Sequence, residues 1–302
     1  MPIRYSGLDM IEAIYVERYE DSFGGTPSAQ TGHRWVYPQE IIPDYDPDLR
    51  TVYVLRSDNY ARCGKRILSG KPLLRCRLSW MQAVPVSPTT YWQTNLLKAA
   101  LGDNPISSIW MEVLIKRSDA NKFWLRLNSL KADVVTIRGS IGEPQQWTAE
   151  FLGYDMTTAT SALLTAPAQH INDPWEWEDT YIQYSTNGID FYNFPDITDY
   201  EIKLYNSLKP NYTFRSTGSK QLTSLEPGVE RATARLTANL TDKAFIDYLV
   251  NLSRVDLKLL MPDSKWVLMS RGQFRRVPVN LKTEDLIALT FDYESMEWTH
   301  GF

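Results

Sequence analysis

The sequence predicts a mainly β protein of the α+β class. It is built as two tandem domains, each an antiparallel β-sandwich or barrel segment with one short flanking helix. Three observations predict this. A period-two strand pattern occurs twice, the elements around it recur in the same order, and the chain is rich in strand-favouring aromatics, with 10 Trp, 17 Tyr and 10 Phe in 302 residues. A chain of that length is about two domains at roughly 150 residues each.

The repeated strand comes first. Gly70-Lys-Pro-Leu-Leu-Arg-Cys-Arg77-Leu78-Ser79 aligns with Gly228-Val-Glu-Arg-Ala-Thr-Ala-Arg235-Leu236-Thr237. Leu74, Cys76, Leu78 and Trp80 fall on one face, as do Ala232, Ala234, Leu236 and Ala238. Arg75, Arg77 and Ser79 fall on the other, with Thr233, Arg235 and Thr237 as counterparts. That alternation predicts a half-buried strand.

Around it, Asn59-Tyr60 and Asn211-Tyr212 each precede a polar segment leading to the glycine. A short amphipathic helix is predicted after each strand. The first runs from about Thr89 to Leu101, with Trp92, Leu96 and Ala100 at helical spacing and Gly102 as its stop. Thr241 caps the second, which presents Phe245, Tyr248 and Leu249 on one side. Strands follow at Trp110–Ile115 and Val255–Leu260, then turns at Arg117–Asn121 and Met261–Ser264, then strands carrying Trp124 and Trp266. A last strand from Trp147 through Phe151 to Met156 matches one from Ile287 through Phe291 to Met296.

The order strand, helix, strand, strand, strand thus appears twice, at a period of about 140 to 158 residues, too long for a solenoid. Duplication of a whole domain accounts for it. A Thr/Ala/Ser-rich stretch from about Thr157 to Asp173 separates the copies, giving a first domain over 1–160, a linker over 161–173 and a second domain over 174–302.

Composition narrows the function. A net charge of -4 excludes the globally basic character of a dedicated DNA-binding domain. The N-terminus shows no cationic start followed by an apolar run, and no stretch approaches the roughly 20 apolar residues of a membrane helix. The expectation is a chain without membrane contact. Two cysteines, Cys63 and Cys76, read as unpaired structural thiols in a reduced, intracellular assembly setting.

Catalytic and ligand motifs are sparse. Gly24-Gly25 and Gly139-Ser-Ile-Gly142 lack the spacings of phosphate loops and of the nucleophile elbow. His33, His170 and His300 stand far apart and read as surface or turn residues. Asp44-Tyr-Asp46-Pro-Asp48 opens like a calcium loop, but Leu49 and Leu55 replace the required Gly and Glu, leaving a surface turn. Trp175-Glu-Trp177-Glu-Asp179 sets carboxylates beside indoles as sugar clefts do; its plainer reading is a strand or linker edge docking its Trp residues on the core. No enzymatic activity and no cofactor or metal are expected. Between Arg62 and Arg77 lie six cations and no acid. Nucleic acid could use them, but only Tyr60 supplies an adjacent aromatic, so docking on an acidic patch of a neighbouring subunit fits better.

At specific places the chain resembles the major tail tube proteins of long-tailed viruses of bacteria and archaea. Tyr15-Val-Glu-Arg-Tyr-Glu-Asp-Ser-Phe-Gly24-Gly-Thr-Pro27, followed by Trp35, resembles the family's N-terminal strand and Gly-Thr-Pro loop. Glu201 to Tyr212 resembles the strand and Asn-rich bend before its long loop. Pro227-Gly228 through Leu240-Thr241-Asp242 resembles the strand entering its helix, and Leu286 to Trp298 its closing strand. Two departures stand out: the copies differ in length before the shared glycine, and the second has no clear Gly-Thr-Pro loop.

The resemblance implies a structural virion protein of the two-domain, siphovirus-like type. Three copies would form a pseudo-sixfold ring, and stacked rings would form the tail tube through which DNA is ejected. Tape-measure protein and tail-tip or terminator proteins would be its partners, and viral DNA a transient one. Assembly would take place in the host cytoplasm. The resemblance further implies that one polar strand face lines the lumen, with Thr148, Glu150, Thr290, Asp292 and Glu294 as candidates and Arg77 and Arg235 as their partners. A lumen that passes a polyanion is expected to be mixed or acidic, and -4 per chain becomes -12 for three chains. The loops 59–70 and 211–228 would reach the adjacent ring, with Arg62, Lys65, Arg66, Lys220 and Glu226 as stacking candidates. The alternatives are a tail-tip or tail-completion ring protein of the same fold, and a carbohydrate-binding or glycan-hydrolysing β protein using Trp175 to Asp179.

Overall fold

The computed structural model describes residues 11–20, 22–28, 33–34, 38–53, 65–82, 108–118, 121–165, 174–194, 196–214, 220–239, 254–276 and 288–301. The fold over these residues is mainly β, and the ladders between its strands are antiparallel. The predicted helices at 89–101 and from Thr241 lie outside the described residues, as do Cys63 and His170.

Among the described residues, ten strands lie in the first half of the chain. They are β1 (Ile11–Tyr19), β2 (His33–Arg34), β3 (Pro38–Asp46), β4 (Leu49–Tyr53), β5 (Lys65–Ser69), β6 (Leu73–Met81), β7 (Ile109–Ser118), β8 (Asn121–Ser140), β9 (Gln146–Gly153) and β10 (Asp155–Ala159). The second half holds β11 (Tyr181–Ser185), β12 (Tyr192–Asn193), β13 (Ile197–Tyr205), β14 (Lys209–Phe214), β15 (Lys220–Glu226), β16 (Arg231–Asn239), β17 (Val255–Leu260), β18 (Trp266–Arg276), β19 (Ala288–Ser295) and β20 (Glu297–Gly301).

The halves run through the same ladders in the same order. β1 pairs β2 and β7, as β11 pairs β12 and β17. β6 lies between β3 and β9, as β16 lies between β13 and β19. The hairpins β4–β5 and β14–β15 stand apart as two-stranded sheets. β8 pairs β7, β9 and β10, as β18 pairs β17, β19 and β20.

The correspondence reaches single residues. Trp124 faces Ala159 as Trp266 faces Gly301, and a register shift falls between Ala132 and Val134 as it does between Phe274 and Arg276. Two serial corners sit alike: Ser129 and Arg271 both take positive φ, 55° and 53°. At that point β8 and β18 each leave a small sheet and enter the main one. A strand can switch sheets there because positive φ and a bulge bend it.

The main sheet runs β18-β19-β16-β13-β8-β9-β6-β3, with the halves joined where β13 pairs β8 from Asp199↔Ser140 to Tyr205↔Val134. Its apolar face carries the core predicted from alternation. Leu74, Cys76, Leu78 and Trp80 are buried, and so are Ala232, Ala234, Leu236 and Ala238. Met111, Val113, Leu257 and Leu259 of the small sheets join the same cluster. Burying a large apolar side chain of this kind contributes roughly 1.5–3 kcal/mol. Two of the buried indoles are hydrogen-bonded to side chains: Trp80 Nε1–H donates to Gln82 at 3.0 Å and Trp147 Nε1–H to Gln145 at 2.7 Å. Gln145 in turn donates to the Tyr200 hydroxyl at 2.8 Å, a polar thread from the first half to the second.

Three local readings change. The last predicted strand of each half breaks in two, at Tyr154 and Met296, so β10 and β20 run along the small-sheet end of β8 and β18. The ladders also slide the match between these strands by two residues, since Glu150 and Asp292 face Val134 and Arg276 at corresponding positions. Phe151 therefore answers to Tyr293 rather than Phe291. A slip of two keeps every side chain on its own face, which is why alternation cannot detect it. The predicted turn at Arg117–Asn121 is narrower, with strand running to Ser118 and resuming at Asn121.

Of the stretch 161–173, residues 161–165 are described. Leu164 packs on Trp110, and the N–H groups of Leu163 and Leu164 donate to the buried Glu112 carboxylate at 3.0 Å. Arg126 Nε completes that carboxylate's shell at 2.7 Å. A buried charge is tolerated when it is so paired and hydrogen-bonded.

Candidate functional site

The polar face of the main sheet gathers the predicted lumen-facing residues. Side chains opposite one another in a ladder share a face, and the ladders link these positions in one chain. Arg77 on β6 lies opposite Glu150 on β9, Glu150 opposite Val134, Val134 opposite Tyr205, and Tyr205 opposite Arg231. Arg235, on the Arg231 face of β16, lies opposite Asp292 on β19.

Contacts on this face recur between halves. Ser79 Oγ and Thr148 Oγ1 are 3.1 Å apart, and Thr237 Oγ1 and Thr290 Oγ1 are 3.5 Å apart. Arg235 Nε meets Asp292 Oδ1 at 3.0 Å. Glu294 takes Arg231 Nε at 2.8 Å and Arg275 Nη2 at 2.6 Å. At the seam between halves, Glu201 accepts Arg138 Nε at 2.5 Å and Lys203 Nζ at 2.8 Å. Burial raises the Glu201 carboxyl, but the Lys203 and Arg138 hydrogen bonds and charges together outweigh it and hold the group below its ordinary value.

The result is an open polar groove of about 400 Å³ over the second half, lined by Glu201, Arg231, Arg235 and Asp292 among others. It is mixed in sign. Exposed pairs of this kind contribute about 0–1 kcal/mol each, so their weight lies in the field they set rather than in stability.

The stacking candidates lie elsewhere. Lys65 and Arg66 sit on β5, opposite Tyr53 and Val52, and Lys220 and Glu226 on β15, opposite Phe214 and Lys209. Arg62 lies outside the described residues. The two hairpins begin on related corners. Asp48, with φ 45°, and Ser207, with φ 50°, precede the first strand of each. Gly70 N–H donates to the Asp48 carbonyl at 2.8 Å, and Gly228 N–H to the Asn206 carbonyl at 3.0 Å. A Cβ would stand 2.4 Å from the Asp48 carbonyl oxygen at Gly70 and 2.3 Å from that of Ser207 at Gly228. Close backbone approach is the reason both copies have glycine here.

The remaining motifs resolve simply. Trp175 is buried in the core, so its indole presents no sugar platform; its backbone N–H donates to the Gln82 carbonyl and its carbonyl accepts the Gln145 backbone N–H, both at 2.7 Å. Glu176 and Asp179 close a capping box on the short 3-10 turn Trp177–Asp179. Asp46 Oδ1 accepts the Asp48 N–H at 2.8 Å, the surface-turn reading of that acidic run. His33 lies on β2 and His300 on β20. Among the described residues no His, Cys, Asp or Glu group could hold a metal ion. Burial pushes the Cys76 thiol up to about 12, which makes it an inert core side chain.

Sequence reasoning missed one charged centre. Glu20 accepts Ser129 N–H at 2.5 Å, Ser129 Oγ–H at 2.5 Å and Ser108 Oγ–H at 2.9 Å. Ser129 Oγ also accepts Gly24 N–H at 2.6 Å, so this knot ties the Gly-Thr-Pro loop to the corner of β8. Burial raises the Glu20 carboxyl to about 7 against those hydrogen bonds and Lys131. The signal for Glu112 was visible, a lone acid in an apolar run; Glu20 gave none.

No protein-family model matches the chain, and no curated protein matches it. Among solved structures, a chain in the tail of an empty gene transfer agent particle with C6 symmetry aligns at 12% identity and a TM-score of 0.33, covering 41% of this chain and 96% of that one. A chain in the virion of a native gene transfer agent particle aligns at 10% identity and a TM-score of 0.32, covering 41% of this chain and 97% of that one. A likeness at this level assigns neither family nor function.

Proposed function

We propose that the protein is a structural, non-enzymatic virion component, a two-domain tail tube subunit. Three copies form a pseudo-sixfold ring, and stacked rings form the conduit for viral DNA. The polar face of the main sheet lines that conduit, and the hairpins β4–β5 and β14–β15 reach the adjacent ring. The domains span 1–160 and 174–302 and arose by duplication. Tape-measure protein fills the tube before DNA does, and tail-tip and terminator proteins bind its ends. The subunit assembles in the host cytoplasm and resides in the virion tail.

One observation carries this reading: a broad antiparallel sheet with an apolar face packed in the core and a polar face on which acids meet bases. Such a face lets a polyanion pass without holding it. The recurrence of the same ladders in both halves supports a pseudo-symmetric ring. Negative-stain microscopy of the purified full chain tests it. Tubes support the reading, isolated rings favour a tail-tip or completion role, and monomers at all concentrations overturn it.

A further inference from the structure

The β14–β15 hairpin belongs to the second half but is seated on the first. Lys71 Nζ lies 5.5 Å from the centre of the Tyr212 ring, and Gln221 Nε2 donates to the Tyr154 hydroxyl. Lys131 Nζ donates to the Leu225 carbonyl at 3.2 Å. Leu222 and Leu225 of the hairpin are buried. Among the described residues no ladder ties the hairpin to the main sheet, so side-chain contacts and apolar burial fix its posture.

Two of these contacts lead to Glu20. Tyr154 meets Phe23 edge to face at 6.0 Å, and a Cβ on Gly24 would lie 3.5 Å from the Tyr154 ring. The Gly24 N–H is held by Ser129 Oγ, which also bonds Glu20. Lys131 Nζ stands 5.7 Å from the centre of the Phe23 ring. Burial lowers the Lys131 amine, and the charges of Glu226 and Glu20 oppose that. Lys131 is thus a cation shared between a carboxyl of the first half and the hairpin. Its counterpart on β18 is the uncharged Gln273, since Leu152 and Glu294 face the two at corresponding positions. Among the described residues, the charged groups set around Glu20 are Lys131 on β8 and, beyond it, Glu226 on β15. Ser108, before β7, and Ser129 supply donors, and Tyr154 is the titratable neighbour of the loop.

We propose that the proton on Glu20 governs how firmly the β14–β15 hairpin is seated on the first half. With Glu20 neutral, the Lys131 ammonium is left to the hairpin, to the Leu225 carbonyl and the Glu226 charge. With Glu20 ionised, its carboxylate competes for Lys131, and a buried charge must be held beside the loop that supports Tyr154. Both routes to the hairpin then loosen. Burial raises the Glu20 carboxyl to about 7, which places the change near neutral pH. The seat is firm below about 7 and looser above it. The device works within a single chain, whatever that chain assembles into.

Hydrogen exchange of the full chain at pH 6 and pH 8, corrected for intrinsic rates, is the test. Amides of β14 and β15 should exchange faster than those of β16 and β17, through an opening of their own. In the native chain that hairpin exchange should be about tenfold faster at pH 8 than at pH 6. Glu20→Gln should keep the slow hairpin rate at both pH values. Lys131→Met should remove most of the dependence in the hairpin. Hairpin exchange that ignores pH in the native chain overturns the proposal, and so does an unchanged dependence in Glu20→Gln. Full dependence in Lys131→Met overturns the shared cation. Exchange of the hairpin in step with β16 and β17 at both pH values would make the opening global, and the separate seat would fall.

Discussion

The two halves hold the same corner by different chemistry. In the first, Ser129 at positive φ gives its N–H to the half-buried Glu20. In the second, Arg271 gives its N–H to Asp256 at 2.6 Å. Behind the corner, Leu130 and Phe151 stand where the second half has Gly272 and Tyr293. The Tyr293 hydroxyl lies 2.8 Å from the Val255 carbonyl and accepts the Gly272 N–H at 3.1 Å. One half fills the space with a leucine; the other fills it with a longer aromatic and satisfies its hydroxyl. What is shared is the backbone path, and the side chains compensate in volume and hydrogen bonding.

The largest break comes from transplanting one solution into the other half. A Cβ at Gly272 would lie 2.1 Å from Tyr293 Cζ, so Gly272→Leu should destabilise the second half by about 3 kcal/mol or more, read by denaturant unfolding. Adding Tyr293→Phe should recover part of that loss, and no recovery would refute volume compensation.

Glu20 gives the next effect. Its carboxyl sits at about 7 when folded and near 4.5 otherwise. The folded state therefore binds the proton more tightly. Its contribution is fully present below about 4.5 and lost as pH rises through about 7. The difference is at most about 3 kcal/mol. Unfolding curves between pH 8 and pH 5 should show this gain in the native chain and not in Glu20→Gln; identical profiles would remove Glu20 from the comparison.

Gly70→Ala and Gly228→Ala should each cost about 2 kcal/mol, since each Cβ meets a backbone carbonyl. Matching losses would show the two hairpin corners equivalent in energy. The smallest effect is expected from Arg235→Gln on the polar face. Its side chain is 64% exposed, so thermal unfolding should move by less than about 0.5 kcal/mol equivalent.

Much of the fold was legible because alternation writes itself into local sequence. β6 and β16, with their buried and polar faces, follow from period two alone, and Gly70 and Gly228 marked the close approach that the structure gives to Asp48 and Ser207. The polar-face residues were legible for the same reason, since Arg77 and Glu150, or Arg235 and Asp292, fall on the outward parity of their strands. Trp175 was legible only as two competing readings, and burial decided between them. Glu20 was invisible because its partners, Ser108 and Ser129, lie about a hundred positions away and carry no motif.

The sequence by itself determined the class, the strand faces and the recurrence of elements, because these depend on neighbours one to four residues apart. Tertiary structure alone decided three things: the register of β19 on its neighbours, the switch of β8 and β18 between sheets, and the seam between β8 and β13. Each depends on pairing between distant segments, and a two-residue slip along a strand costs no change of face that local pattern could record.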